Sequence, residues 1–447
     1  MKHSYTVSRR HFLKCTSLAA AALPYLIPHG VLAADGQPGA NDRVGIGVIG
    51  IGRRAPQVLS VFPSEAKIVA IADVLEPRLL AASKKYKADP CKNYHDLLAR
   101  KDVDAVLTAT TDHWRALTCI HACQAGKDVY AEKPLTLTVL EGRRIVEAVR
   151  KYGRVLQTGG QQRSMTPNRI GCELIRSGGL GKIKRIVAFN YPSPWECALP
   201  SQPIPEGLDW NEWCGPVEMQ PYNKDLFAPR ANPGWISYRL FSGGEMTGWG
   251  AHGLDMIQWA LGTDNSGPVE VWTDGPKLNA PVNKEPMSQK DGNARCSTPK
   301  VFFKFPGDIT VELAETCEVQ GKTVESPHGG AIFFGEKGIA TIDRSIFTTN
   351  PPELAKEAMK AVNSRQENGE KLHVQNWLDC IKSREKPVND AEIGHRTATF
   401  CHLGNIARWT GRKLQWDPIK EQFAGDAEAN ALLDRPRRKG YELPEQV

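Results

Sequence analysis

Val44-Gly45-Ile46-Gly47-Val48-Ile49-Gly50-Ile51-Gly52-Arg53-Arg54-Ala55 is the stretch on which the reading of this chain turns. An apolar run of strand length ends in Gly50-x-Gly52-x-x-Ala55, and a helical pattern follows through about Phe62. The first glycine permits a tight turn, the second lets a phosphate approach the backbone, and a small third residue lets helix and strand pack closely. Helix N–H groups and the helix dipole then face a pyrophosphate. Lys67 to Ala72 reads as the next strand, closed by Asp73, about 20 residues beyond the glycines, where an acid bonds a ribose 2′-hydroxyl and repels a 2′-phosphate. That favours NAD; Arg53 and Arg54 keep NADP as the second reading.

The alternation continues downstream. Helices are expected over Pro77 to Tyr86, Trp114 to Ala125 and Leu137 to Tyr152, with strands at Ala105 to Ala109, Asp128 to Ala131 and Val155 to Thr158. Repeated right-handed crossovers make this a parallel, doubly wound sheet over 42–160. Beyond Gly160 the texture becomes α+β over 161–417, with strand-like runs at Ile183 to Asn190, Val269 to Thr273, Val301 to Phe305, Ile309 to Thr316, Ala331 to Phe334 and Ile339 to Ile342. Helices are expected there at Asn168 to Ser177, His252 to Leu261, Val374 to Ser383 and His395 to Trp409. Tyr191 to Gly250 is a loop-rich insertion holding Trp195, Trp210, Trp213, Trp235 and Trp249. Such aromatic content argues against disorder. Its rings are expected chiefly as packing anchors, and a cleft-facing Trp235 or Trp249 would suit a sugar ring. A polar tail, 418–447, is expected on the surface.

The first 34 residues read as a targeting segment. Ser8-Arg9-Arg10-His11-Phe12-Leu13-Lys14 resembles a twin-arginine export signal, followed by an apolar stretch from Cys15 to Pro28 and small residues at Ala33 and Ala34. Export machinery is thus an expected partner and the periplasm the expected destination. Loss of that segment removes four basic residues and no acid, taking the formal charge from +7 to +3. With no clustered basic face, nucleic-acid binding is not expected. No apolar run reaches the roughly 18 residues of a membrane span. The cysteines show neither CxxC nor a zinc-like His/Cys spacing, so no metal is expected. Cys119 and Cys123, one helical turn apart, read as core.

Val129-Tyr130-Ala131-Glu132-Lys133-Pro134-Leu135 ends a strand in a charged pair closed by proline. Together with Gly50 to Ala55 and with Gly243-Gly244-Glu245-Met246-Thr247-Gly248-Trp249-Gly250-Ala251-His252-Gly253-Leu254-Asp255, it resembles the Gfo/Idh/MocA family of sugar and polyol oxidoreductases. Asp209 to Pro216 and Cys401 to Ala407 resemble segments of that family's exported, twin-arginine branch. The resemblance spans essentially the whole mature chain. It implies an α/β Rossmann dinucleotide-binding domain followed by an α+β domain with an open-faced mixed or antiparallel sheet, a nicotinamide cofactor in the cleft, and frequent homo-oligomers through the sheet.

By that resemblance Lys133 touches both the nicotinamide ribose and the substrate hydroxyl, and a cation there stabilises developing alkoxide. His252 takes the place of a general acid/base. Asp255, three residues on and sharing its helix face, holds the histidine's tautomer or contacts a substrate hydroxyl. Glu132 either orients Lys133 or faces solvent. Thr110 and His113, after the third long strand, are expected to reach the cofactor; Arg115 either binds an anionic substrate group or faces solvent. Relatives commonly carry an aspartate one turn before the histidine, where this chain has Gly248. The cofactor-binding set is therefore Gly50, Gly52, Arg53, Arg54, Asp73, Thr110, His113, Glu132 and Lys133, and the catalytic set Lys133, His252 and Asp255.

The expected function is NAD-dependent oxidoreduction of a sugar, polyol or glycoside. The alternatives are a redox-neutral glycoside hydrolase or lyase using captive NAD through a keto-sugar, and a non-catalytic sugar-binding protein.

Overall fold

β1 (Val44–Ile49) is buried along its whole length, as a central strand covered on both faces must be. In this computed structural model, which describes residues 43–228, 234–285, 289–360, 368–445 and 447, the expected export segment 1–34 lies outside the described residues. From β1 the chain runs through α1 (Arg54–Leu59), β2 (Ala66–Ala72), α2 (Glu76–Tyr86), β3 (Asp89–Cys91), α3 (Tyr94–Leu98), β4 (Ala105–Thr108), α4 (Asp112–Gln124), β5 (Asp128–Ala131), α5 (Val139–Lys151) and β6 (Leu156–Thr158). The strands form one sheet in the order β3-β2-β1-β4-β5-β6, and every pairing is parallel. The order reverses beside β1, so the carboxyl ends of β1 and β4 open the crevice where such sheets bind ligands. β3 carries Pro90 and sits at the sheet's edge, where a missing N–H is tolerated. Cys119 and Cys123 are fully buried in this half's core.

The second half begins with α6 (Thr166–Arg176) and β7 (Ile183–Ala188). It continues through β8 (Glu196–Cys197), α7 (Trp210–Cys214), α8 (Lys224–Phe227), α9 (Glu245–Gly248), α10 (Gly250–Leu261), β9 (Glu270–Thr273), β10 (Val282–Asn283) and α11 (Gln289–Cys296). Then come β11 (Val301–Phe305), β12 (Ile309–Leu313), the hairpin β13 (Thr316–Val319) and β14 (Lys322–Glu325), β15 (Ala331–Gly335), β16 (Gly338–Asp343), β17 (Ile346–Asn350), α12 (Glu353–Lys360), α13 (Gly369–Ser383), α14 (Ala391–Thr410), β18 (Leu414–Asp417), β19 (Gln422–Phe423) and α15 (Ala427–Ala431).

Nine strands make its sheet, β17-β16-β15-β7-β12-β11-β9-β18-β19. All its pairings are antiparallel except β12 with β7, so the sheet is mixed. Burial alternates along β11 and β16, the signature of one face on the core and one open. The buried face meets α6, α10 and α14 in a core that includes Phe303, Phe333 and Phe400.

The tail is more than surface polish. β19 extends the sheet, and beyond it Arg435 and Arg437 pair with the buried Glu141 of α5 at 3.3 and 3.1 Å. Arg438 then donates to the Asn211 side chain at 2.8 Å, and the Tyr441 hydroxyl to Glu212 at 3.2 Å.

Most of the insertion also folds. Trp195, Trp210 and Trp213 are buried with Tyr222, Tyr238 and Phe241 in a separate apolar cluster, and Trp210 stacks on Trp213 with centroids 4.4 Å apart. The insertion is tied to the nucleotide-binding half on two sides. On one, Glu76 N donates to Gly207 O at 2.8 Å and Asp209 N to Val74 O at 2.9 Å. On the other, Trp114 Nε1 donates to Glu212 O at 2.9 Å. Residues 207–213 therefore cross from the β2 end to the α4 start as a strap.

Among the described residues no helix is long and apolar enough to cross a membrane.

Candidate active site

A cleft of about 450 Å³ opens at the carboxyl ends of β1, β2 and β4, lined by Gly50, Gly52, Arg53, Arg54, Asp73, Thr110, Glu132 and Lys133 among others. Gly50 is held at φ +81°, the left-handed region that favours glycine; a Cβ there would meet Ala109 O and Thr110 Cα, each at 3.3 Å. At Gly52 a Cβ would meet nothing within 4 Å. That open space is where a phosphate reaches the main chain, so these residues fit a dinucleotide. Gly52→Leu should consequently keep its melting temperature and lose at least about a hundredfold in dinucleotide affinity, roughly 2.8 kcal/mol, read by calorimetry.

Asp73 stands where a ribose acid is expected, but already engaged. Its carboxylate accepts from Ile51 N and Leu75 N, both at 2.8 Å, and from Arg78 Nη2 at 2.7 Å. Arg78 is also on the cleft wall; no motif pointed to it. Arg53 is exposed beside the cleft. Arg54 is instead committed to Glu132 at 2.9 Å and to Glu370 at 3.4 Å, and the adjacent carboxylates push its guanidinium pKa up against the opposing effect of burial.

Glu132 does not face solvent: it is buried, and besides Arg54 it accepts from Gln161 Nε2 at 3.1 Å and from Lys133 N at 3.2 Å. It thereby fixes the main chain of the residue expected to do the chemistry. The Lys133–Pro134 bond is cis. Lys133 Nζ donates to Gly248 O, in the second half of the chain, at 2.9 Å.

The expected site residues His113 and Asp255 stand off the cleft wall, and Arg115 is buried. His113 is absent from the cleft wall because its ring turns into the insertion's core, bonding Trp213 O through Nε2 at 2.9 Å and meeting Phe241 edge-on; burial pushes its pKa down to about 3. Arg115 does not face solvent, although it contributes to the cleft wall. It is buried, bonded to Asp112 at 3.1 Å and to the carbonyls of Thr110 and Pro134, so it braces the Lys133 loop from below. Burial raises the pKa of Asp112 despite that partner. Asp255 is locked in a buried pair with Arg163 at 2.8 Å, which Asp264 shares at 2.7 Å, and it accepts from Thr397 at 2.8 Å. Its oxygens are spent on the fold.

His252 is buried in the first turn of α10, its ring centroid 5.7 Å from that of Trp249. Trp249 itself lines the cleft, as do Trp213, Phe227, Trp235 and Ile236. Trp235 and Trp249 thus stand where a sugar-facing ring is expected, while Trp213 is brought to the cleft by the strap.

The cleft and the two sheets define a dinucleotide-binding Rossmann domain joined to a mixed-sheet domain. The model of the Gfo/Idh/MocA oxidoreductase family, NAD-binding Rossmann fold, matches residues 44–160, and that of the family's C-terminal alpha/beta domain matches 174–285 and 308–443. The chain belongs to this family, and NAD is the cofactor its first domain binds. Inositol 2-dehydrogenase of Salmonella paratyphi B is 36% identical over 123 residues, 27% of this chain and 36% of that protein; the match spans little more than a third of the relative's length. Two solved structures share the fold: aldose-aldose oxidoreductase from Caulobacter crescentus with glycerol (TM-score 0.56, 17% identity, 83% of this chain and 99% of that one) and the WlbA dehydrogenase from Bordetella pertussis with NADH and UDP-GlcNAcA (0.58, 18%, 84% and 99%).

Proposed function

We propose that this protein is an NAD-dependent oxidoreductase acting on the carbinol carbon of a sugar, polyol or glycoside. The observation that carries the reading is Lys133: it lies on the wall of the nucleotide cleft and its Nζ reaches across to the second half of the chain at Gly248. Bound NAD supplies the hydride acceptor. Lys133, as the neutral amine, takes up the hydroxyl proton, and the ammonium so formed stabilises the negative charge left on the oxygen, with His252 as a second acid/base group. Trp235 and Trp249 on the cleft wall offer flat faces suited to a sugar ring. The inositol relative and the aldose oxidoreductase point to the same substrate class.

Export by the twin-arginine route to the periplasm is part of the proposal, supported by Ser8 to Lys14. Free dinucleotide is scarce outside the cytoplasm, so the cofactor would travel inside the folded protein. Retention over many turnovers asks for nanomolar affinity, roughly −12 kcal/mol.

The strap favours a second reading of the same site, in which NAD is captive and the net reaction is redox-neutral cleavage of a glycoside. Trp213→Ala, which removes a cleft-lining indole, should raise the dinucleotide off-rate about tenfold, the equivalent of an aromatic contact of about 1.5 kcal/mol; stopped-flow displacement reads it. The deciding experiment is mass and absorbance analysis of the purified protein for bound dinucleotide, then a screen of sugars, polyols and glycosides. Accumulating NADH supports the oxidoreductase; a cleaved glycoside with no net NADH supports the redox-neutral form. Neither product from any substrate leaves a binding protein.

A further inference from the structure

Where the resemblance leads one to expect an aspartate, the chain has Gly248, yet a carboxylate stands there. A Cβ on residue 248 would lie 2.7 Å from Oε2 of Glu245 and 3.5 Å from Cδ1 of Ile236. The missing side chain of Gly248 is thus the space that the Glu245 carboxylate fills.

Local geometry delivers it. Gly244, at φ +71°, turns the chain into α9 with Glu245 as its first residue, and a Cβ on Gly244 would strike Pro194 N at 2.6 Å. Glu245 is buried at 9% exposure, and a carboxyl group so enclosed needs polar or charged partners around it. The carbonyl of the same Gly248 receives Lys133 Nζ, and His252 follows one turn later. Asp112 holds Arg115 and Ser242, and Glu132 holds Arg54 and Gln161.

We propose that Glu245 is the positioning carboxylate of the Lys133 and His252 site, entering from one turn earlier in place of a side chain at 248. The proposal rests on the carbinol-oxidation reading. Glu245 acts through Lys133. Its charge keeps the amine oriented and stabilises the ammonium once the hydroxyl proton has passed to it, while the hydride carries its electron pair to the nicotinamide.

Two measurements on the full chain as purified test this. The first needs no substrate: the acylation rate of Lys133 at fixed pH, followed by mass spectrometry. Removing a neighbouring negative charge increases the neutral amine fraction, so Glu245→Gln should label about threefold faster or more. Adding Gly248→Asp to Glu245→Ala should restore the slow rate. The second is turnover on the screened substrate. Glu245→Gln should lower kcat by about 10- to 100-fold with little change in KM, and Gly248→Asp alone should also lose activity, because its side chain meets Glu245. The Glu245→Ala, Gly248→Asp pair should recover most of kcat. A glutamate that only packs would gain nothing from that pair.

Unchanged labelling in Glu245→Gln overturns the inference, as does changed labelling with parental kcat. If Glu245→Gln fails to fold, the double variant decides: fast labelling in a folded double variant overturns it as well. Should the parent turn over no substrate, the functional reading fails, and labelling still decides the role of Glu245.

Discussion

Lys133→Met is expected to lower kcat by about 10²- to 10⁴-fold, the range for losing a positioned proton-transfer group, while leaving the fold intact. The methylene stem of lysine and the methionine side chain are of similar length, and the hydrogen bond to Gly248 O is given up. NAD affinity should fall far less than kcat, because the glycines and Asp73 are untouched and only the contact expected at the nicotinamide ribose is lost. The comparison of kcat with dinucleotide affinity is therefore the measurement. A variant that keeps its turnover would remove Lys133 from the chemistry and leave His252 as the candidate proton acceptor.

The second large effect falls on stability. Arg163 and Asp255 form an ion pair with side chains 2% exposed on each side, and removing one partner strands a buried charge at a cost of about 3–5 kcal/mol. Arg163→Ala should lower the denaturation midpoint accordingly, and Asp255→Asn should lower it by a smaller amount, since shape is kept and Thr397 can still donate. Among molecules that remain folded, turnover with Asp255→Asn should fall far less than with Lys133→Met. An Asp255→Asn protein that melts like the parent but has lost its turnover would return Asp255 to the catalytic set.

The nucleotide-binding half is legible in the sequence because its signals are local: a glycine pair after a strand, an acid closing the next strand, a lysine and proline closing β5. The sites of error share a cause. His113 and Asp255 have the residue type and helical position of site residues, and what redirects them is a distant partner, the Trp213 carbonyl for one and Arg163 for the other. The part of the cleft wall made by Trp213 and Phe227 is hidden for the same reason, since the insertion's course over α4 depends on hydrogen bonds between segments about a hundred residues apart. Gly248 is the instructive case. Read along the chain it is a missing acid; read across one helical turn it is the room for Glu245.

The tail that bonds Asn211 and Glu212 touches the same segment that lines the nucleotide cleft. Binding at one end and ordering at the other are then linked quantities, and linkage is reciprocal: whatever dinucleotide gains from a fastened tail, the tail gains from dinucleotide. Protease nicking near Arg438 becomes a gauge of cofactor occupancy, slowing as the cleft fills.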